Sequence, residues 1–331
     1  MKILAALALI FGLSLLVGLT AYYGFTPVIQ AVASAGWGVA LVILARALGL
    51  AGQGVAWWFL LPAPAPTWRV FVGVRFIREA INSYFPFAVL GGDFIGARLL
   101  TQFGAGMSTA LASVFIDIFI LFACLLIFVS TGLGILMTRA EGHQLVGTTL
   151  FMLAIAIPAG AGFFLFLNFG AFEPLMKKLV EFGERRKWSL FGHVVGLGNS
   201  LQQVWRNRRG FAGSFLLHLV VIFFGATEVW IAVAFMGHSL SIGEAIVIES
   251  LGLGSRGAAF VLPGGLGVQD GTLIAVSAVF GVPAEVALAL AFIKRIAEMV
   301  LGLPALWAWH VLEGRRQRSK DLAASGATPD H

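Results

Sequence analysis

Side chains that could bind a charged group lie on one face of a predicted helix in the first part of residues 70–100. Arg75, Arg78, Glu79 and Asn82 fall at i, i+3, i+4 and i+7, so they form one stripe along that helix. Guanidinium groups suit phosphate and carboxylate ligands, and a neighbouring carboxylate can hold them in position. We interpret the stripe as part of a substrate-binding site. The alternative is an amphipathic surface helix whose arginines reach lipid phosphates.

A break in the helix follows this stripe. Pro86 cannot continue a helix, whereas Gly91 and Gly92 permit a tight backbone turn. Asp93 is then placed to cap a second helix, and Arg98 follows about one turn later. A surface helix would account for the arginines but not for this break.

A second segment, residues 242–280, contains the same ingredients. Glu249 and Arg256 precede a stretch of ten residues, 262–271, that includes four glycines. Unpaired backbone groups are costly in a membrane unless protein or a polar cavity satisfies them, and free N–H groups at a helix start favour an anion. The alternative is an ordinary loop outside the membrane. The candidate site residues in this stretch are Pro263, Gly264, Gly265, Gly267 and Asp270.

Ionisable residues also occur inside long apolar runs. Each charge costs about 2.5–3.5 kcal/mol at the bilayer centre when it has no partner. We therefore expect a binding role for Asp117, Lys294 and Arg295, with purely structural ion pairs as the alternative. The charged residues in such runs are Arg46, Asp117, Glu228, Lys294, Arg295 and Glu298.

Familiar catalytic and cofactor motifs are absent or out of context. Residues 252–257 match a dinucleotide-binding spacing, but no predicted strand precedes them. The six histidines include no HExxH pair, and Cys124 is the only cysteine, which excludes thiolate metal clusters. We expect no catalytic residue, no metal and no cofactor.

The composition is typical of a membrane protein. Apolar residues make up 59% and charged residues 11% of the 331 residues, against about 25% charged in soluble domains. These values exclude a cytosolic enzyme, a disordered chain and a disulfide-rich secreted module. The apolar runs are continuous over about 20 residues without period-two alternation, so they predict helices rather than a barrel. The expected fold class is an all-α polytopic membrane protein.

Two kinds of apolar segment are distinguished by length and continuity. Residues 70–100 and 242–280 are interrupted by proline and glycine, so we expect them to form re-entrant helical hairpins. The six runs long enough to cross the hydrocarbon layer as helices are residues 3–21, 37–61, 107–137, 145–169, 214–236 and 283–311.

The distribution of basic residues predicts the orientation. Residues 170–212 carry eight Lys or Arg and the segment after Val311 carries four, whereas residues 138–144 carry one. Basic residues are retained in the cytoplasm, so we expect both termini there, in a bacterial inner membrane. The basic loop should then contact anionic lipid headgroups. Trp57 and Trp58 are expected to anchor the chain at the membrane interface.

This topology makes the two hairpins enter the membrane from opposite faces. The order of charge, proline, glycine pair and aspartate is similar in both, which is typical of an inverted repeat whose broken helices meet near the midplane. We predict one integral membrane domain, residues 1–313, and a polar basic cytoplasmic tail, residues 314–331. The domain divides into a first half (1–169), a basic cytoplasmic segment (170–212) and a second half (213–313).

These motifs resemble the lysylphosphatidylglycerol synthase transmembrane-region family, also called the flippase-like family. The resemblance extends from the first apolar run to Glu313, and residues 91–100 are most similar to the hopanoid-cluster, HpnL-like subgroup. Its most specific marks are Arg78, Glu79, Asn82, Pro86, Gly91, Gly92, Asp93 and Arg98, and the Pro-Gly-Gly-Leu-Gly core of residues 263–267.

The resemblance implies movement of a lipid rather than an enzymatic reaction. The lipid implied is a hopanoid or an anionic or aminoacylated phospholipid, moved between leaflets through a polar site at the midplane. Bifunctional members add a soluble aminoacyltransferase domain, which the 18 residues after Glu313 are not expected to supply. The alternatives are a non-catalytic scaffold for lipid or hopanoid biosynthesis enzymes and a membrane-embedded lipid-modifying enzyme. No nucleic-acid partner is expected.

Overall fold

A computed structural model of the chain describes residues 21–22, 25–62, 64–84, 91–138, 147, 197–258 and 267–325. Every regular element within these ranges is a helix, so the predicted all-α fold is confirmed. In chain order the helices are α1 (Phe25–Ser34), α2 (Gly38–Trp58), α3 (Trp68–Tyr84), α4 (Gly91–Gln102), α5 (Met107–Met137), α6 (Leu197–Arg206), α7 (Arg208–Phe224), α8 (Ala226–Phe235), α9 (Ile242–Ala258), α10 (Val268–Val279) and α11 (Ala284–Ser325).

Three membrane-length apolar helices coincide with predicted spans. They are α2, α5 and the nearly continuous pair α7 and α8, which together cover Arg208–Phe235. The predicted spans 3–21 and 145–169 lie almost entirely outside the described residues. The predicted span 283–311 forms the first part of α11, a helix of 42 residues that continues past the predicted domain boundary at residue 313.

The two segments predicted to be re-entrant form helical hairpins of matching size. The first hairpin consists of α3 and α4, and the second hairpin consists of α9 and α10; each pairs a helix of 17 residues with one of 12. A 12-residue helix rises about 18 Å, less than the hydrocarbon thickness of about 30 Å. The connecting residues 85–90 and 259–266 lie outside the described part of the chain.

Helix α5 supports both hairpins, each with its own half. Its first half shares a hydrophobic core with Trp57, Phe71 and Leu100, and therefore with α2, α3 and α4. Its second half shares a separate core with Ile248 and Leu290, and therefore with α9 and α11. The two hairpins are thus packed on the same long helix but in different cores.

The contacts along α5 give the direction of each hairpin. In the second hairpin, Ser250 lies against Gly132 of α5. Gly257, about two turns later on α9, lies against Leu125 near the middle of α5. Helix α9 therefore runs antiparallel to α5 and ends near its middle.

In the first hairpin, Phe71 early in α3 packs on Trp57, which bonds to Ser113 of α5. Arg78, two turns later on α3, bonds to Asp117 of α5. The connecting ends of both hairpins therefore approach the middle of α5 from its opposite ends.

Candidate functional site

A cavity of about 520 Å³ lies between the two hairpins. The membrane-length helices line it with residues near their midpoints, namely 45–53 in α2, 118–125 in α5 and 221–228 in α7 and α8. Helices α3, α9, α10 and α11 complete the wall. This volume falls within the range of about 300–1,000 Å³ that is usual for ligand-binding cavities.

The wall of the cavity has a polar part and an apolar part. Helices α5 and α7 contribute apolar side chains, and the remaining helices contribute most of the charged and amide groups. The cavity is therefore amphipathic. The apolar part includes Ile118, Leu121, Phe122, Leu125, Val221, Ile222 and Phe224, and the polar part includes Arg46, Gln53, Arg75, Glu79, Asn82, Glu228, Glu249, Arg256, Gln269 and Lys294.

Lys294 of α11 connects two further helices at the cavity wall. Its Nζ donates to both carboxylate oxygens of Glu249 on α9 at 2.8 Å and to Glu228 on α8 at 3.1 Å. All three side chains are buried. A buried ammonium requires such partners, because its desolvation is costly and removal of one partner leaves an uncompensated charge.

Glu298, one turn after Lys294 on α11, makes a second junction. Its Oε1 accepts from Arg46 of α2 at 2.7 Å and from Arg256 of α9 at 2.8 Å. Arg46 also reaches Glu228 at 3.4 Å, so the two junctions form one network. Helical spacing on α11 would allow a pair between Lys294 and Glu298, but each instead bonds across to other helices.

Arg75 and Glu79 are the charged residues of the first hairpin that line the cavity. Nε of Arg75 donates to Oε1 of Gln53 on α2 at 3.0 Å, and Nη2 lies 3.4 Å from Glu79 one turn later on α3. The guanidinium of Arg75 therefore lies closer to the side-chain amide of Gln53 than to the carboxylate of Glu79. Glu79 keeps most of its hydrogen-bonding capacity. Its side chain is 26% exposed, against 8% for Arg75.

Arg78, on the same predicted stripe, turns away from the cavity. Its guanidinium donates to Asp93 of α4 at 2.7 Å and to Asp117 of α5 at 2.8 Å. The other oxygen of Asp117 lies 2.9 Å from Nε2 of His218 on α7. Arg78, Asp117 and His218 are each 1% exposed. This network joins the first hairpin to α5 and α7 and does not line the cavity.

Trp57 covers the same guanidinium, so its ring packs inside the protein and does not contact lipid as the predicted interfacial anchor would. The ring is fully buried, with Arg78 lying 4.7 Å from its centroid. Its Nε1 donates to Oγ of Ser113 at 3.0 Å. A desolvated cation over a tryptophan face gains electrostatic stabilisation, which explains why this aromatic residue lies in the core.

The start of α4 explains the glycine pair of the first hairpin. The N–H of Gly92 donates to Oδ1 of Asn82 on α3 at 3.0 Å, and a Cβ at Gly92 would lie 2.5 Å from that oxygen. Only glycine permits this close approach of the two helices. Asn82 also donates to Asp93 at 3.3 Å. Asp93, predicted to cap α4, lies in its first turn and binds the side chains of Arg78 and Asn82.

Two ion pairs that involve the predicted site residues Asp270, Arg295 and Arg98 lie away from the cavity wall. In the second hairpin Asp270 accepts from Arg295 of α11 at 2.7 Å and from the N–H of Gly267 at 2.8 Å. Gly267 has a φ of 79°, which glycine adopts without strain. Arg98 of α4 pairs with Glu313 of α11. These pairs hold the second helix of each hairpin to α11.

The structure divides the predicted site residues into groups. Those at the cavity wall are Arg75, Glu79, Asn82, Glu249, Arg256 and Lys294. Those in ion pairs or helix starts off the wall are Arg78, Gly91, Gly92, Asp93, Arg98, Asp117, Gly267, Asp270 and Arg295. Pro86, Pro263, Gly264 and Gly265 lie outside the described residues.

Several side chains at the site were not among the predicted binding residues. The sequence offered a signal for Arg46, Glu228 and Glu298, because each is a charged residue inside an apolar run. Gln53 carried a weaker signal, since a neutral polar group is less costly to bury. Within the described ranges, no group of three His, Cys, Asp or Glu is arranged to hold a metal ion.

Comparison with known proteins identifies the family. Neither the curated proteins nor the solved structures contain a match to this chain. The family model described as the lysylphosphatidylglycerol synthase TM region matches residues 3–305 of the 331. The matched range includes both hairpins and every residue named above at the cavity wall. The chain is a membrane protein that belongs to the lysylphosphatidylglycerol synthase transmembrane-region family.

Proposed function

We propose that the protein moves a lipid between the two leaflets of a membrane. The amphipathic cavity is the observation that carries this proposal. A lipid crossing a bilayer must keep its polar headgroup away from hydrocarbon, because an unpaired charge there is costly. The charged wall can bind the headgroup, while the apolar wall formed by α5 and α7 can contact the first part of the acyl chains.

The position of the cavity supports this role. It lies at the midpoints of three helices of membrane length, which corresponds to the middle of the bilayer if each helix is centred in it. Transporters built from inverted repeats bind their substrates at that depth, between broken helices. The two hairpins, with helices of equal length and connecting ends directed at the middle of α5, fit that arrangement.

The proposed mechanism is alternating access. Among the described residues the two hairpins share no hydrophobic core, whereas α2, α5 and α11 have residues in both cores. Rocking of one hairpin relative to the other, about these three helices, would open the cavity to one leaflet and then to the other. We further propose that the protein lies in a bacterial inner membrane with both termini in the cytoplasm, because the distribution of basic residues favours this orientation.

A leaflet-exchange assay with a cavity-filling variant tests the proposal. Gly49 of α2 lines the cavity, and a Cβ there would lie 3.9 Å from its nearest neighbour, Val221. Gly49→Phe should therefore occupy the cavity without a backbone clash. Purified protein in liposomes should exchange an acyl-labelled fluorescent lipid, and the variant should slow this exchange about tenfold.

Gly73→Phe is the matched control. Gly73 lies on α3, is exposed, and has no neighbouring atom within 4 Å of an added Cβ. This variant should exchange lipid at the wild-type rate. Equal rates for Gly49→Phe and the wild type, at equal melting temperature, would contradict a route through the cavity. No exchange above that of protein-free liposomes would favour the scaffold role instead.

A further inference from the structure

The charged groups around the cavity are balanced in number. Among the described residues, each cation at the wall is paired with a carboxylate or lies beside one. Counted together with Glu298, which binds two of its cations, the wall carries four positive and four negative charges and no formal excess of either sign. The cations are Arg46, Arg75, Arg256 and Lys294, and the carboxylates are Glu79, Glu228 and Glu249, with Glu298 bound to two of the cations.

Two of these groups are more accessible than the rest. The side chain of Glu79 is 26% exposed and that of Arg256 is 23% exposed. The side chains of the other charged groups at the cavity are 5–16% exposed. The charges that a ligand meets first are therefore one carboxylate and one guanidinium.

These two groups come from different hairpins. Glu79 lies on α3 and Arg256 on α9; both line the cavity, and no direct ion pair joins them. Arg256 uses Nη1 for its bond to Glu298, and Glu79 has only the 3.4 Å contact with Arg75. Among the described contacts, each therefore has capacity for a further partner in the space between them.

We propose that the cavity selects a lipid headgroup that carries both a phosphate and a protonated primary amine, with no net charge. Arg256 binds the phosphate, and Glu79 accepts hydrogen bonds from the ammonium. A headgroup of this kind bridges the two hairpins with opposite charges facing each other. This inference rests on the proposed function and names the class of lipid that is moved.

The balance of charge explains the selectivity. In a site of low dielectric, a ligand with a net charge leaves that charge uncompensated, because the wall has no excess of the opposite sign. A headgroup with phosphate alone would bind Arg256 but would face Glu79 with no cation. A quaternary ammonium carries the charge but has no N–H to donate to Glu79.

The test compares three acyl-labelled lipids, each at trace level in phosphatidylcholine liposomes that contain the full-length protein. Phosphatidylethanolamine should exchange about tenfold faster than phosphatidylglycerol, which lacks the amine, and than labelled phosphatidylcholine, which lacks the N–H groups. Exchange of phosphatidylglycerol at the rate of phosphatidylethanolamine would overturn the proposal. Equal rates for phosphatidylcholine and phosphatidylethanolamine would overturn the assignment of a primary amine.

Two variants assign the contacts. Glu79→Gln should lower exchange of phosphatidylethanolamine to the level of phosphatidylglycerol, whereas Arg256→Gln should slow both lipids. Glu285→Gln on α11 and Arg69→Gln on α3 are matched controls, because neither residue lines the cavity. Both controls should leave the rates and the preference unchanged. Retention of the preference in Glu79→Gln, at normal melting temperature, would refute the role of this carboxylate.

A binding measurement separates this inference from the proposed function. Native mass spectrometry of the purified protein counts bound phosphatidylethanolamine and phosphatidylglycerol after incubation with an equal mixture. Preferential retention of phosphatidylethanolamine that depends on Glu79, without leaflet exchange, would refute transport and support the headgroup assignment. Exchange without any headgroup preference would refute the assignment and leave transport standing. Absence of both would overturn both.

Discussion

The buried pair of Arg78 and Asp117 permits a quantitative test of whether a charge builds the fold or binds the substrate. Arg78→Gln would leave Asp93 and Asp117, which are 7% and 1% exposed, without their guanidinium partner. Removal of one member of a buried ion pair costs about 3–5 kcal/mol. For a protein of this size we expect a decrease in melting temperature of about 4–7 °C.

The double variant separates the two roles. Arg78→Gln combined with Asp117→Asn removes the guanidinium and one of its two carboxylate partners, so part of the lost stability should return, while Asp93 keeps an uncompensated charge. Thermal unfolding in detergent of the wild type, the two single variants and the double variant gives the interaction free energy between the two positions. The double variant should also recover lipid exchange, because neither residue lines the cavity.

Two results would refute this reasoning. A single variant Arg78→Gln that melts with the wild type would show that the buried pair does not stabilise the fold. A double variant with full stability but no lipid exchange would show that Arg78 acts on the substrate despite its position off the cavity wall.

Two further predictions concern the first hairpin and the topology. Gly92→Ala should destabilise the protein by about 1–3 kcal/mol, because the new Cβ would meet Oδ1 of Asn82 at 2.5 Å; Gly73→Ala, with no neighbour within 4 Å, is the control, and equal melting temperatures for the two variants would be evidence against this packing. An alkaline phosphatase fusion after Lys320 should be inactive and a fluorescent-protein fusion bright, because the basic tail favours the cytoplasm; the reverse pattern would invert the proposed orientation.

The sequence was sufficient for the fold class and for the division into continuous and broken helices. Long apolar runs can satisfy their backbone in a membrane only as helices, and this is a local property of each run. The hairpins over residues 70–100 and 242–280 were predictable for the same reason, since proline and paired glycines interrupt helices wherever they occur. The cost of burying charge also indicated that Arg46, Glu228 and Glu298 have either an ion-pair partner or a functional role.

Only the tertiary structure decided which charges meet. Arg75 and Arg78 belong to one stripe by helical spacing, yet Arg75 lines the cavity and Arg78 is enclosed by Asp93, Asp117 and Trp57. Residues three positions apart on a helix differ by about 60° in direction, enough to face different neighbours. Partner choice depends on distances between helices that are remote in sequence, and a pattern within one helix contains no information about them.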